Sequence, residues 1–229
     1  MPRWSAPRPS CARGTRGCCA LGVTNPRYDS EIVRALATLM RHRPGMRLRL
    51  SIGLSDALND SVASGELDAA FVPTYPGISF SCTQTPLHED RMQLVARVGH
   101  PLASRGRLAL ADLADYPWAM PAERRASRRW VMDAFERAGV ARPKIALEMD
   151  YSSEALVGLV AHTDMLCLMP SAVMRTWGDS LAALPVPALT FTRQWMLLTR
   201  PGSQPTPLLS ALAQTLSARK SRKNIPIGN

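Results

Sequence analysis

Four arginines stand close together near the middle of this chain: Arg124, Arg125, Arg128 and Arg129. Spacings of one and four put them on one side of a helix, at its N-terminal end. Cations there are opposed by the helix macrodipole, by about 0.3–1 kcal/mol each. An anion alongside reverses that sign. The chemistry implied is recognition of a carboxylate, with Arg124 or Arg128 as the contact. The competing reading is a solvated basic face with Glu123 and Asp133 as partners, since exposed charge clusters contribute little.

Other turns from strand to helix have a related capacity. Ligands of open parallel sheets bind beyond the carboxyl ends of the strands, where helix N-termini present backbone N–H groups. Those junctions are Thr24 and Asn25, then Leu54 and Ser55, then Pro121, Ala122 and Glu123 through Ser127, then Tyr151, Ser152 and Ser153. Each brings a hydroxyl, an amide or a charge to a helix start. Facing sets from two lobes would make a cleft suited to a small organic anion. Ser55, Ser152 and Ser153 also fit as ordinary helix caps, and the two roles can coexist.

Catalytic readings find little support. There is no serine in a nucleophile elbow, no phosphate-binding or dinucleotide glycine pattern, and no recognisable Cys and His pairing. The expectation is a protein that is not an enzyme and needs no cofactor or metal. Five cysteines, Cys11, Cys18, Cys19, Cys82 and Cys167, show no two-residue spacing, and their odd number argues for a reducing compartment. Cys167 lies in an apolar run, which suits an inert buried thiol.

The net charge of +10 over 229 residues suggests a nucleic-acid or membrane partner until the charges are located. Residues 1–19 and 219–223 each hold four basic residues and no acid, so the remaining body has 20 basic and 18 acidic residues. The basic character belongs to the tails. A folded nucleic-acid groove is therefore not expected. No apolar run reaches the roughly 18 residues of a membrane span, which leaves a cytoplasmic protein.

The elements that must position these residues follow the apolar periods. Leu48, Leu50 and Ile52 alternate with Arg47, Arg49 and Ser51 as a strand with one buried face. Ser55 then stands where a helix cap belongs, Leu58 and Val62 are four apart, Gly65 can close the helix, and Ala69 to Val72 form a buried strand parallel to the first. Before this unit lie a strand at Leu21 to Val23 and a helix, capped by Asp29 or Ser30, with Ile32, Val33, Leu36 and Met40 on its apolar side. After it, Phe80 to Leu87 and Met92 to Val98 read as two strands, and Gly99 to Arg107 as a loop. A second set follows: strand Trp118 to Met120, helix Ala126 to Gly139, strand Lys144 to Met149, a helix capped by Ser152 or Ser153, and strand Met165 to Met169. Leu189 to Thr199 returns the chain, and a final helix opens at Pro207. Two successive strand and helix sets imply two α/β lobes.

Several of these stretches, in order, resemble the effector-binding domain of LysR-type transcriptional regulators. The residues are Pro44 and Gly45, the strand to Gly53, Ser55, Gly65-Glu66-Leu67-Asp68, Pro86-Leu87 with Glu89-Asp90, Val95-Ala96-Arg97, Gly99-His100-Pro101-Leu102, Leu110 to Leu113, and Pro117-Trp118. The resemblance runs over about residues 20–216 and implies two Rossmann-like lobes of the type II periplasmic-binding kind, with a ligand cleft between them. It places lobe I at residues 20–97 and 196–218 and lobe II at 98–195, with a disordered tail at 1–19 and a basic tail at 219–229. It implies a small-molecule sensor that forms a homodimer or homotetramer and reaches DNA only through a winged helix-turn-helix not seen before Ala20. A stand-alone solute-binding protein of the same fold is the alternative. One departure is Thr163, Asp164 and Met165, where the family leads one to expect a glycine turn. Thr163 could offer a hydroxyl there, and Met165 reads as core.

Overall fold

The computed structural model describes residues 18–24, 31–75, 78–123, 125–149, 153–204, 208–212 and 216. Asn25, Arg124, Ser152, the cap expected at Asp29 or Ser30, and Pro207 lie outside them. The elements of the described residues are labelled in chain order: β1 (Cys18–Val23), α1 (Glu31–His42), β2 (Arg47–Ile52), α2 (Ser55–Ala63), β3 (Ala69–Thr74), β4 (Thr83–Arg97), β5 (Pro117–Met120), α3 (Ala126–Arg137), β6 (Lys144–Glu148), α4 (Glu154–Ala161), β7 (Leu166–Pro170), α5 (Met174–Trp177), β8 (Leu181–Ala183) and β9 (Phe191–Thr199). Residues 208–212 are helical.

The chain divides into two compact units. Unit 1 takes the chain up to Thr74, Ser79–His88, and Trp195 onward; unit 2 takes Tyr75–Ile78 and Glu89–Gln194. The long strands β4 and β9 therefore belong partly to each.

Within unit 1 the strand order is β2-β1-β3-β9-β4. β1 pairs in parallel with both β2 and β3, so the crossover through α2 passes over β1 before β3 is laid down. All six residues of β3 are buried, as a central strand covered on both faces requires. One face carries Ile32, Ala35, Leu36 and Leu39 of α1 with Leu209, Leu212 and Leu216; the other carries Leu58 and Val62 of α2 with Leu67. Gly22 makes that second contact possible. A Cβ there would stand 2.7 Å from Leu58 Cδ2 and 2.9 Å from Leu67 Cδ1, closer than carbon atoms pack. The helix closes at Gly65 with φ of +77°, the left-handed turn its sequence implies.

Unit 2 repeats the plan with the order β9-β4-β7-β5-β6, and β8 beside β4. β5 is parallel to β6 and β7, and β4 runs antiparallel to β7. Trp118, Phe135, Val131 and Leu113 fill one face, while Val157, Val160, Cys167 and Met169 fill the other.

Some expectations change. The two strands expected at Phe80 to Leu87 and Met92 to Val98 are one 15-residue strand, Thr83–Arg97. β1 starts at Cys18, inside the stretch expected to be tail. The buried apolar face expected of β2 is not found: Leu48 is half-buried, but Leu50 is 41% and Ile52 62% exposed while Arg49 and Ser51 are half-buried, on a strand at the sheet edge. Met40 is likewise exposed, and Leu39 takes the buried position. Cys18 is disulfide-bonded, so the expectation of uniformly reduced thiols is not met there. Cys19 and Cys167 are free and buried, and burial pushes both thiols up to about 12, which leaves them inert.

His100 holds the turn after β4. Leu102 N–H donates to its Nδ1 at 3.1 Å, so the proton sits on Nε2, which is 3.3 Å from the Asp164 carbonyl. The ring is buried, and burial lowers its pKa from the ordinary 6.5. Stability is accordingly expected to be full above pH 6.5 and to fall as the pH drops through 6.5, because the unfolded chain takes up the proton first. Urea denaturation from pH 8 to 5 checks this. His100→Asn should flatten the slope, and an equal slope in the variant would remove His100 as its source.

Candidate functional site

In each unit the parallel strands end beside helix starts, and the polar groups singled out from the sequence gather there. In unit 1, Thr24 follows β1 and donates its N–H to Phe71 O at 3.0 Å. Its hydroxyl lies 3.5 Å from Ser55 Oγ, and Ser55 Oγ is 3.5 Å from Pro73 O. These long contacts hold the hydroxyls weakly and leave them capacity for another partner. Ser55 is not the cap expected of it. The cap position is Leu54, extended at φ −81° and ψ 151°, and no side chain caps α2. The first turn therefore keeps donors that no side chain satisfies, although Asp56 in the same turn opposes an incoming anion.

Unit 2 has the stronger constellation. Arg125 takes the cap position of α3, and Arg128 and Arg129 lie in its first turn with no acid among them. Arg128 reaches back over the strand ends. Its Nη1 donates to Pro121 O at 3.2 Å, just past β5, and to Glu148 Oε2 at 2.8 Å, the last residue of β6. Met120 and Glu148 are register partners, so the guanidinium bridges the carboxyl ends of two adjacent strands. The Arg128 side chain is only 14% exposed, against 56% for Glu148. Its Nε is buried and has no hydrogen-bond partner. This corrects the reading of a solvated basic face. Arg128 is tucked in, and its partner is Glu148 instead of Glu123 or Asp133, because its side chain reaches back over the ends of β5 and β6.

The remaining candidates are placed as follows. Pro121 and Ala122 are half-buried and Glu123 is exposed. Ser153 caps α4, accepting from Leu156 N–H at 3.2 Å, next to the end of β6. Thr163 spends its hydroxyl locally, donating to Leu159 O at 2.7 Å and accepting from Met165 N–H at 3.3 Å. With His162 Nδ1 2.8 Å from Gly158 O, side chains engage the last carbonyls of α4, which is why this turn does without a glycine. Two residues were missed by sequence reasoning. Thr74, buried at the end of β3, carries a polar group at a strand terminus, the signal that could have found it. Glu148 had the same signal, as the last residue of an alternating strand.

A second polar group of unit 2 is structural. Arg193 of β9 donates to both oxygens of Asp90, Nε to Oδ1 at 2.6 Å and Nη2 to Oδ2 at 2.7 Å, and Nη1 donates to Tyr75 OH at 2.9 Å. Burial alone would lower the Arg193 pKa, but Tyr75 and Asp90 overturn that and hold it above the ordinary arginine value. On the unit 1 side of the same strands, His88 stacks on Trp195 with ring centroids 5.7 Å apart.

Among the described residues no group of acidic, His and Cys side chains could hold a metal, and no helix is long and apolar enough to cross a membrane. Compared with known proteins, residues 12–221 match the LysR substrate binding domain. The chain is 26% identical to the HTH-type transcriptional regulator GbpR of Azospirillum brasilense, over 76% of this chain and 51% of that protein. It is 31% identical to the small neutral protease regulatory protein of Streptomyces coelicolor, over 74% of this chain and 55% of that protein. The chain thus spans about half the length of these relatives. Among solved structures, the Synechocystis CcmR regulatory domain in complex with 2-PG aligns with a TM-score of 0.78 at 21% identity, covering 92% of this chain and 99% of that one. The effector binding domain of QuiR in complex with shikimate aligns with a TM-score of 0.73 at 17% identity, with the same coverage. Both have the type II periplasmic-binding-like fold.

Proposed function

The chain belongs to the LysR substrate binding domain family, and from that premise we propose that it is the effector-sensing part of a cytoplasmic transcriptional regulator whose effector is a small organic anion. The observation that carries the proposal is Arg128, a nearly buried cation that spans two strand ends in the first turn of a helix. A guanidinium so placed suits a carboxylate or a phosphate. Ser153, at the start of the next helix of the same unit, supplies a neutral hydroxyl that helps to fix orientation. The CcmR regulatory domain is in complex with 2-PG and the QuiR effector binding domain with shikimate, which supports a small-molecule effector. DNA contact is assigned to a helix-turn-helix segment that the described residues do not include. The relatives are regulators, so a stand-alone solute-binding role has no support from them.

Association of copies belongs to the same reading. The β2 edge carries exposed Leu50 and Ile52, apolar residues on one face of an edge strand, suited to a second copy in a homodimer or homotetramer.

Titration calorimetry with a panel of organic acids, shikimate and 2-PG included, tests the proposal. Arg128→Ala should weaken the acid that binds by about ten- to a hundredfold, the worth of one charge-assisted hydrogen bond. Unchanged affinity in that variant would remove Arg128 from the site.

A further inference from the structure

Among the described residues Glu148 is the acidic group set against Arg128, and the pair is unequal. The arginine is 14% exposed and the glutamate 56%, so the guanidinium depends on a partner while the carboxylate can return to water at little cost. The contact is also incomplete. Glu148 takes a single donor, Nη1, which is shared with the Pro121 carbonyl, and Nε remains buried and unpaired. An anion that accepts from two guanidinium donors satisfies what one glutamate oxygen does not.

We propose that Glu148 is a specificity-determining residue, an internal counter-ion that occupies Arg128 until a carboxylate or phosphate of the effector displaces it. This rests on the reading of Arg128 as the effector contact. With Glu148 in place the Arg128 charge has its counter-charge, so an uncharged compound gains nothing by breaking the pair. An acid exchanges one anion for another and frees Glu148 into solvent. Charge selection is thereby set by exchange, without an open positive site that any stray anion would fill.

The experiment uses inorganic phosphate as the probe, titrated calorimetrically at low ionic strength against the full chain, Glu148→Gln, Arg128→Ala and the double variant. Glu148 is exposed, so Glu148→Gln should fold; circular dichroism checks this. Removing the competitor should tighten phosphate by about two- to fivefold, the worth of one exposed ion pair. The gain should vanish in the double variant. Equal or weaker phosphate binding in Glu148→Gln, no detectable binding in either, or a gain that survives Arg128→Ala would each overturn the displacement. If the organic-acid titrations still depend on Arg128 while Glu148→Gln changes nothing, the sensing site stands and only the counter-ion role falls. Should those titrations not depend on Arg128, the sensing site falls first.

Discussion

Replacing Asp90 by alanine is expected to destabilise the folded chain by about 3–5 kcal/mol, the cost of leaving a buried cation without its partner. Arg193 is 10% exposed and Asp90 18%, and the two are joined by a pair of hydrogen bonds at 2.6 and 2.7 Å. Without the carboxylate, only Tyr75 remains of the partners described for the guanidinium, and a hydroxyl cannot balance the charge. Arg193 does not escape by losing its proton, since a guanidinium stays protonated in proteins. Replacing both residues by leucine should cost much less than either single change, because the expensive species is the uncompensated charge and not the loss of the pair itself. Urea denaturation of the two single variants and the double variant completes the cycle. A loss below about 1 kcal/mol in Asp90→Ala would mean that water reaches Arg193 freely and that the pair is a surface contact.

Phe135→Ala is expected to cost a comparable amount, about 3–5 kcal/mol, through the cavity it leaves. Phe135 is fully buried on α3 and meets Trp118 of β5 edge-on, with ring centroids 5.8 Å apart at 84°. The same helix carries Arg128, so the second consequence concerns the site. A looser α3 should weaken the acid that binds in the calorimetric panel, while Phe135→Leu, which keeps most of the volume, should restore both stability and affinity. Stability and affinity that fail to move together across the two variants would show that the Phe135 contact does not position Arg128.

Much of the architecture could be read from the residues, and the reasons are local. Gly65, Ser153 and the apolar runs of β3 and β7 act through neighbours within a few positions, so their spacing carries their role. What escaped depends on contacts across the chain. The polar stretch His88 to Arg91 reads as a gap between two strands, yet β4 runs through it unbroken. The exposure of Leu50, Ile52 and Met40 follows from β2 lying at an edge, which periodicity does not reveal. At the site, the arginine cluster was visible as a cluster, but the choice among its members was not. Arg128 is singled out by Glu148, twenty positions away along the chain and adjacent only once β5 and β6 pair. The Asp90, Arg193 and Tyr75 group joins residues 103 and 118 positions apart and gave no signal beyond Asp90 itself.

Those separations bear on how the chain is made. Residues 89–194 supply nearly all of unit 2, so on a ribosome that unit can consolidate as soon as its own stretch emerges. Unit 1 cannot. Its β3 waits for Trp195–Thr199, and the α1 side of its sheet waits for Leu209, Leu212 and Leu216, all synthesised last. The β1 to β3 part of the nascent polypeptide therefore waits with an unpaired β3 edge while residues 89–194 are made, which is when a chaperone would be needed and why a premature stop after residue 190 would leave an aggregating product.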